Sequence, residues 1–439
     1  MTLGDAQYIS RDDPFAAARR QAADRLEACG LPKRGQEYWK FTDPSELNQI
    51  HSLHSLSSSI TPHFGRSFEL SMVGDWQDPV QQGISPRALF DGIPRSVIDI
   101  DGDDAEFELS PDIVEHGSAC SIEQASLRDS SWVHEVFGEL ESQAHAPVPR
   151  ALAAVNTRYA RCGVCIRADG INAKPVEIRY SASEQQEDAV VRHVFKVERG
   201  ASLTILETGT LARRTNKVLE VEVEDGASFH HVQVQGREHE RVSSGHVFAR
   251  LGAESTFRSF TLSVNGLMTR NECVITMTGD GSTAHVAGAA VGDSKFHHDD
   301  TVFVTHDSLD CESRQVFKKV LRNGAVGVFQ GKILVKPGAQ KTDGYQLSQG
   351  LLLDDLCQFL AKPELEIYAD DVACSHGSTC GSVDEEALFY LRSRGIPSVQ
   401  AQDMLALAFL RQALDEIEDT RLTEALQELL LDWLARHHQ

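Results

Sequence analysis

The sequence predicts a mainly β protein, with a solenoid of short strands flanked by helical segments at its N- and C-terminal ends. Three observations predict it. From about residue 175 short alternating runs are separated by glycine turns, those turns keep a regular interval, and helical periodicity is confined to the two ends of the chain. Gly200-Ala201, Gly226-Ala227 and Gly252-Ala253 each close an alternating run, and they stand 26 residues apart. Gly281-Ser282 follows after 29 residues, and Gly338-Ala339 after a further 57, about two more periods. Between the turns, Val221, Val223 and Phe229, or Val274, Thr276 and Thr278, alternate as half-buried strands do. A repeat of this length buries its apolar face by stacking on the next, which favours a solenoid. A large antiparallel sandwich with recurring hairpins is the alternative. No glycine marks the beat near residue 309 and Gly324-Ala325 falls out of phase, so a distortion or insertion is expected between residues 295 and 325.

In chain order, residues 1–150 read as an N-terminal helical and mixed domain. A helix is expected from Pro14 to Gly30, with proline in its first turn and glycine as its stop. The serine-rich stretch His51 to Phe64 reads as a loop, and short strands and turns follow. Residues 151–350 hold the solenoid. Residues 351–439 read as a C-terminal helical domain carrying a ligand segment. There Leu422, Leu426, Leu429, Leu430 and Trp433 recur at helical spacing, and a second apolar helix runs through Met404, Leu405, Leu407, Ala408 and Leu410.

Composition excludes several function classes. The chain has 439 residues, with 42 Lys and Arg against 65 Asp and Glu, a net charge of −23. That balance argues against a nucleic-acid binder and against an anionic membrane surface. There is no run of about eighteen apolar residues and no basic-then-apolar leader, so a soluble, cytoplasmic protein is expected. Nine cysteines at scattered spacings do not form a disulfide framework and suit a reducing compartment.

The chemistry concentrates in Cys374-Ser375-His376-Gly377-Ser378-Thr379-Cys380-Gly381. Two thiols and an imidazole are soft-metal ligands. Run as a strand, the segment would point Cys374, His376, Ser378 and Cys380 the same way. Gly377 and Gly381 argue against regular pairing through it. A helix follows at once: Ser382-Val383-Asp384-Glu385 fits a capping box, Arg392 and Arg394 lie in the last turn, and Gly395 stops it before Pro397.

The run Pro363 to Ile396 resembles the C-terminal signature of the SufB/SufD family, the scaffold subunits of the Suf iron-sulfur cluster assembly machinery. His376-Gly377-Ser378 is closer to the His-Gly-Ala of the SufD branch than to the His-Glu-Ala of SufB, which leaves a SufB-type subunit as the alternative. Gly30 to Asp43, Ala151 to Ile166, Val328 to Gln346 and Leu351 to Leu356 are similar to further family elements. The resemblance implies a right-handed parallel β-helix core. It implies a non-catalytic scaffold pairing with SufB through that core and docking the ATPase SufC through its C-terminal helices. It also implies that His376 and Cys374 ligate a transient iron-sulfur cluster at the SufB interface, none being firmly bound. A lone histidine is more often a structural imidazole bonded to a carbonyl. The neighbouring thiol and the resemblance favour a ligand here. Phe389, Tyr390, Arg392 and Arg394 then become the expected partner-docking face, since aromatic and arginine residues anchor interfaces.

Other constellations read as structural. Cys162-Gly163-Val164-Cys165 is a lone CxxC without a thioredoxin-like context, so a thiol-disulfide oxidoreductase is disfavoured. His297-His298-Asp299-Asp300 with His306 reads as a polar turn, because adjacent histidines on a strand diverge. Asp370-Asp371 reads as a turn supporting the Cys374 segment, and Cys380 as a small buried hydrophobe. No phosphate-binding GxxxxGK[ST] motif is present, and no carboxylate constellation supports a β-helix polysaccharide-active enzyme.

Overall fold

The computed structural model describes residues 13–49, 89–90, 93–101, 104–109, 111–127, 131–181, 187–236 and 240–436. The loop expected from His51 to Phe64 lies outside them. In chain order the strands are β1 Ser96–Asp101, β2 Asp104–Glu108, β3 Gly117–Ser121, β4 Val164–Ala168, β5 Val176–Ser181, β6 Asp188–Val197, β7 Ser202–Gly209, β8 Arg214–Val223, β9 Ser228–Gln235 and β10 Val242–Leu251. They continue as β11 Thr256–Val264, β12 Met268–Met277, β13 Thr283–Asp293, β14 His297–His306, β15 Glu312–Arg322, β16 Val326–Val335, β17 Asp343–Leu352, β18 Gln358–Ile367 and β19 Ala373–Gly381.

The chain alternates between two sheets. One runs β19-β17-β15-β13-β11-β9-β7-β5-β1-β2 and the other β18-β16-β14-β12-β10-β8-β6-β4-β3. Every neighbour from β4 and β5 onward pairs in parallel, as in Ser228↔Thr256 and Thr256↔Thr283. A hairpin sandwich needs antiparallel neighbours, so the alternative is excluded and the core is a parallel β-solenoid. Among the described residues only β1 with β2 and β3 with β4 are antiparallel, at the N-terminal end.

One set of corners explains the glycine beat. Gly200, Gly226, Glu254, Gly281, Asp310 and Lys341 all adopt φ between 53° and 69°. The backbone N–H of each donates to a corner carbonyl of the next coil, from Gly200 to Asp225 O through Lys341 to Asp371 O, at 2.5 to 3.0 Å. Glycine meets this left-handed demand at no steric cost. Asp310 takes the corner where no glycine was found, so the expected distortion between residues 295 and 325 does not occur. There β14 and β15 pair without interruption to both neighbours. Gly324, at φ 82°, belongs with Asn265 and Ser294 to the opposite set of corners.

Inside, Val164, Ile166, Ile178, Ile205, Leu219 and Ile275 surround a column in which the rings of Phe195, Phe229 and Phe257 lie 5.8 to 5.9 Å apart. Outside, each sheet is covered by helices. The helix Ala16–Cys29, starting close to its expected position, packs on Ala151–Tyr159, and the N-terminal helices cover the even-numbered sheet. Phe137 and Ala153 meet Val194, Val218 and Phe248 there. The Arg192 guanidinium, fully buried, reaches Glu220 Oε2 at 2.5 Å and Thr157 Oγ1 at 3.0 Å, tying helix to sheet. On the odd-numbered sheet Leu410, Leu414, Leu426, Leu430 and Trp433 of the helices Ser398–Leu414 and Thr420–Arg436 cover Val232, Phe260, Leu262 and Val316. Strands continue to Gly381, so helices take over only from Glu385 and not from about residue 350.

Candidate functional site

The solenoid stops at β18 and β19, each the terminal strand of its sheet. Contrary to the expectation from Gly377 and Gly381, Ala373–Gly381 is a regular strand, paired with β17 from Asp343↔Ala373 to Leu351↔Gly381. The preceding corner, Asp370-Asp371, is the turn expected; Asp371 O accepts from Lys341 N and its N–H donates to Gln340 Oε1 at 2.9 Å.

Alternation then sets the face. A Cβ at Gly344 would stand 3.1 Å from Cys374 Sγ, and Ser348 Oγ lies 2.9 Å from Ser378 Oγ. The even-numbered side chains of β17 and β19 are therefore stacked on the interior side, and Cys374, His376, Ser378 and Cys380 share that side. Among the described residues no further coil covers them, so this interior face opens to solvent. Cys374 is half-buried against Ile333, Val335, Ala339 and Ala369, whereas His376 is exposed. Along the strand the two lie about 6.6 Å apart, close enough to serve one polynuclear cluster. Burial pushes the Cys374 thiol above its ordinary value, opposed by the Gly344 backbone and reinforced by Asp343. That shift favours the protonated thiol.

Cys380 is exposed, not buried as expected, because the last coil has no successor to cover it. Across the open end, Phe359, Ala361, Pro363 and Leu365 of β18 are only partly buried, and Ile367 and Tyr368 are exposed. Solenoids are normally closed by polar capping repeats; the β18 wall of this end is apolar, and the β19 wall carries Cys374, His376 and Cys380. Among the described residues no group of three or more His, Cys, Asp or Glu could hold a metal ion.

The helix Glu385–Ser393 follows directly. Its cap is Asp384, whose Oδ1 accepts from Glu386 N at 2.9 Å and Ala387 N at 3.0 Å, rather than Ser382 as the capping-box spacing suggested. No residue of this helix is buried. Phe389 is 74% and Tyr390 57% exposed, Arg392 and Arg394 are exposed, and the Arg394 guanidinium lies 5.1 Å from the Tyr390 ring. Val399 and Met404 of the next helix are also exposed.

His297-His298-Asp299-Asp300 is not a polar turn but the start of β14. His297 faces outward to Thr42 Oγ1 at 3.0 Å. His298 and Asp300 face the interior, where Lys319 Nζ meets His298 Nδ1 at 2.8 Å and Asp300 Oδ2 at 2.7 Å. Burial, with Lys319 beside it, holds His298 well below the ordinary histidine range. Sequence reasoning missed this cluster; the run Val302-Phe303-Val304 just after it was the available signal for a strand. A second interior cluster joins Glu207, Lys217, His231, Tyr180 and His193, with His231 Nε2 2.6 Å from Glu207 Oε1. Cys162 and Cys165 are buried, and Cys165 faces Cys120 in register on β3. Burial raises the Cys165 thiol well above normal, the opposite of a redox-active thiol.

No described helix is long and apolar enough to cross a membrane. The family model for the SUF system FeS cluster assembly SufBD core domain matches residues 180–409, just over half of the chain. The iron-sulfur cluster assembly protein SufD of Escherichia coli is 27% identical over 417 residues, 92% of this chain and 90% of the relative. An iron-sulfur cluster assembly SufBD family protein of Synechocystis is 24% identical over 96% of this chain and 92% of its own length. SufD of Bacillus subtilis is 30% identical over 149 residues, 34% of each chain. With the solenoid, the open-ended coil and the His376-Gly377-Ser378 signature, the domain match establishes that this chain belongs to the SufBD family of iron-sulfur cluster assembly proteins and is SufD-like within it.

Proposed function

We propose that this chain is the SufD-type scaffold subunit of an ATP-dependent iron-sulfur cluster assembly complex. It pairs with a SufB-type solenoid through its open end and docks the ATPase SufC through its C-terminal helices. The observation that carries this reading is the open last coil, where Cys374 and His376 share one face beside two edge strands that, among the described residues, each lack an outer neighbour. Unpaired strand edges are templates for a further strand, so a second solenoid is the natural cover. Two ligands on one chain cannot enclose a cluster, and the facing subunit supplies the others. The cluster is cargo: imidazole and thiolate bind iron yet can release it. Half-burial of Cys374 suits this, since burial favours the protonated thiol and a bound cation would take the place of that proton. The exposed Phe389, Tyr390, Arg392 and Arg394 face is the SufC dock, and no reaction is assigned to this chain itself. The working compartment is the reducing cytoplasm, in keeping with nine free cysteines.

The test is co-expression of this chain with the SufB and SufC homologues of the same cell. The wild-type chain is expected to co-purify with both and carry cluster absorbance; His376→Ala should assemble equally and carry markedly less. Failure of the wild type to co-purify with either homologue would sink the assignment.

A further inference from the structure

Gln315, Gln346 and His376 are successive in-register partners on β15, β17 and β19. The contacts at Gly344 with Cys374 and at Ser348 with Ser378 bracket the Gln346–His376 pair on the same side. His376 therefore stands directly over Gln346 on the interior face, and Gln315 lies one coil further in.

Both glutamines are fully buried, and the amide nitrogen and oxygen of each have no hydrogen-bond partner. Buried primary amides are almost always satisfied, because an unmet donor or acceptor forfeits its hydration without return. In-register neighbours on parallel strands repeat every ~4.8 Å, so a turn of the side chains lets the two amides answer one another. The outer amide then keeps a free group, and the next residue in the column is an imidazole. The opposite wall gives room for the turn: Gly331 has no side chain, and a Cβ there would stand 3.0 Å from Gln346 Nε2.

We propose that Gln346, backed by Gln315, is the positioning residue for His376. Its amide hydrogen-bonds one ring nitrogen, fixes the tautomer, and leaves the other nitrogen's lone pair directed out of the open end toward the incoming iron. A metal-ligating histidine ordinarily has such a partner on its second nitrogen. The inference rests on the reading of His376 as a cluster ligand, and it assigns the interior of the penultimate coil, β17, a part in presenting that ligand.

The test uses the full-length chain with ¹⁵N-labelled histidine, the His376 signals being identified by their loss in His376→Ala. In alkaline buffer the wild type should show one dominant His376 tautomer, and Gln346→Met, which keeps the volume but not the amide, should show a mixture. Should Gln346→Met not fold, Gln315→Met, which frees the Gln346 amide from its backing, carries the same readout. In the co-expressed complex Gln346→Met should assemble normally and lose cluster about tenfold. An unchanged tautomer overturns the proposal. So does an unchanged cluster yield where His376→Ala does lose cluster. If His376→Ala keeps its cluster, the ligand reading fails, whereas the tautomer experiment still decides whether Gln346 orients the ring.

Discussion

Gly344 and Cys374 are in-register partners on the last two strands of the odd-numbered sheet, and the thiol occupies the space a Gly344 side chain would need. A Cβ at Gly344 would come within 3.1 Å of Cys374 Sγ and 3.2 Å of Ile333 Cδ1. Gly344→Ala should therefore push the thiol outward by a few tenths of an ångström. Alkylation of Cys374, followed by peptide mass spectrometry, should be faster in the variant. An unchanged rate would mean that the glycine does not seat the thiol.

The helix Glu385–Ser393 buries none of its residues, so its aromatic pair contributes little to this chain's own stability. Phe389→Ala and Tyr390→Ala should shift unfolding by no more than about 0.5 kcal/mol. If this is the ATPase dock, the same substitutions should weaken SufC capture severely, as central aromatic anchors do. Titration calorimetry with purified SufC separates the two effects, and undiminished affinity would relocate the dock.

Acid should destabilise the solenoid through its interior histidines. His306 is buried, with Nε2 2.8 Å from Ser313 Oγ, and burial pushes its pKa down to about 4. In the unfolded chain the group titrates near 6.5. Between those values the unfolded state binds a proton that the folded state refuses, so stability falls as pH falls through this window. The loss from this one group approaches about 3 kcal/mol near pH 4 and is absent above about pH 6.5. Urea unfolding at neutral and acidic pH should show a shallower loss for His306→Gln than for wild type. Equal slopes would mean that His306 is not held neutral.

The buried Arg192–Glu220 pair fastens the N-terminal helices to the even-numbered sheet. Glu220 also accepts from Gly138 N at 2.7 Å and Glu141 N at 3.0 Å. Arg192→Met would strand a buried carboxylate, which costs on the order of 3 to 5 kcal/mol. Thermal unfolding should report a large drop in the midpoint; a near-neutral result would show that solvent reaches Glu220.

The parts of the fold legible in the sequence were those where one residue type has a steric monopoly. Gly200, Gly226 and Gly281 betray the coil period because glycine reaches positive φ most cheaply. The beat vanished where Asp310 met the same demand, held by a corner hydrogen bond that depends on the next coil. Cys374 and His376 were legible as a motif, and alternation alone put them on one face. The exposure of Cys380 was not legible, since it depends on β19 being the last strand of its sheet. The interior placement of His298, Asp300 and Lys319 was equally hidden. Charged residues enter a core only when distant coils bring them together, and local polarity pointed to a turn instead.

The terminal position of β18 and β19 also bears on how the protein behaves by itself. Among the described residues the final rung has no outer strand, so its edge can template a further strand from another molecule. At high concentration of this chain alone, like ends would meet like, and self-stacking would compete with any other cover for the edge. A tendency to self-associate is thus written into the last coil.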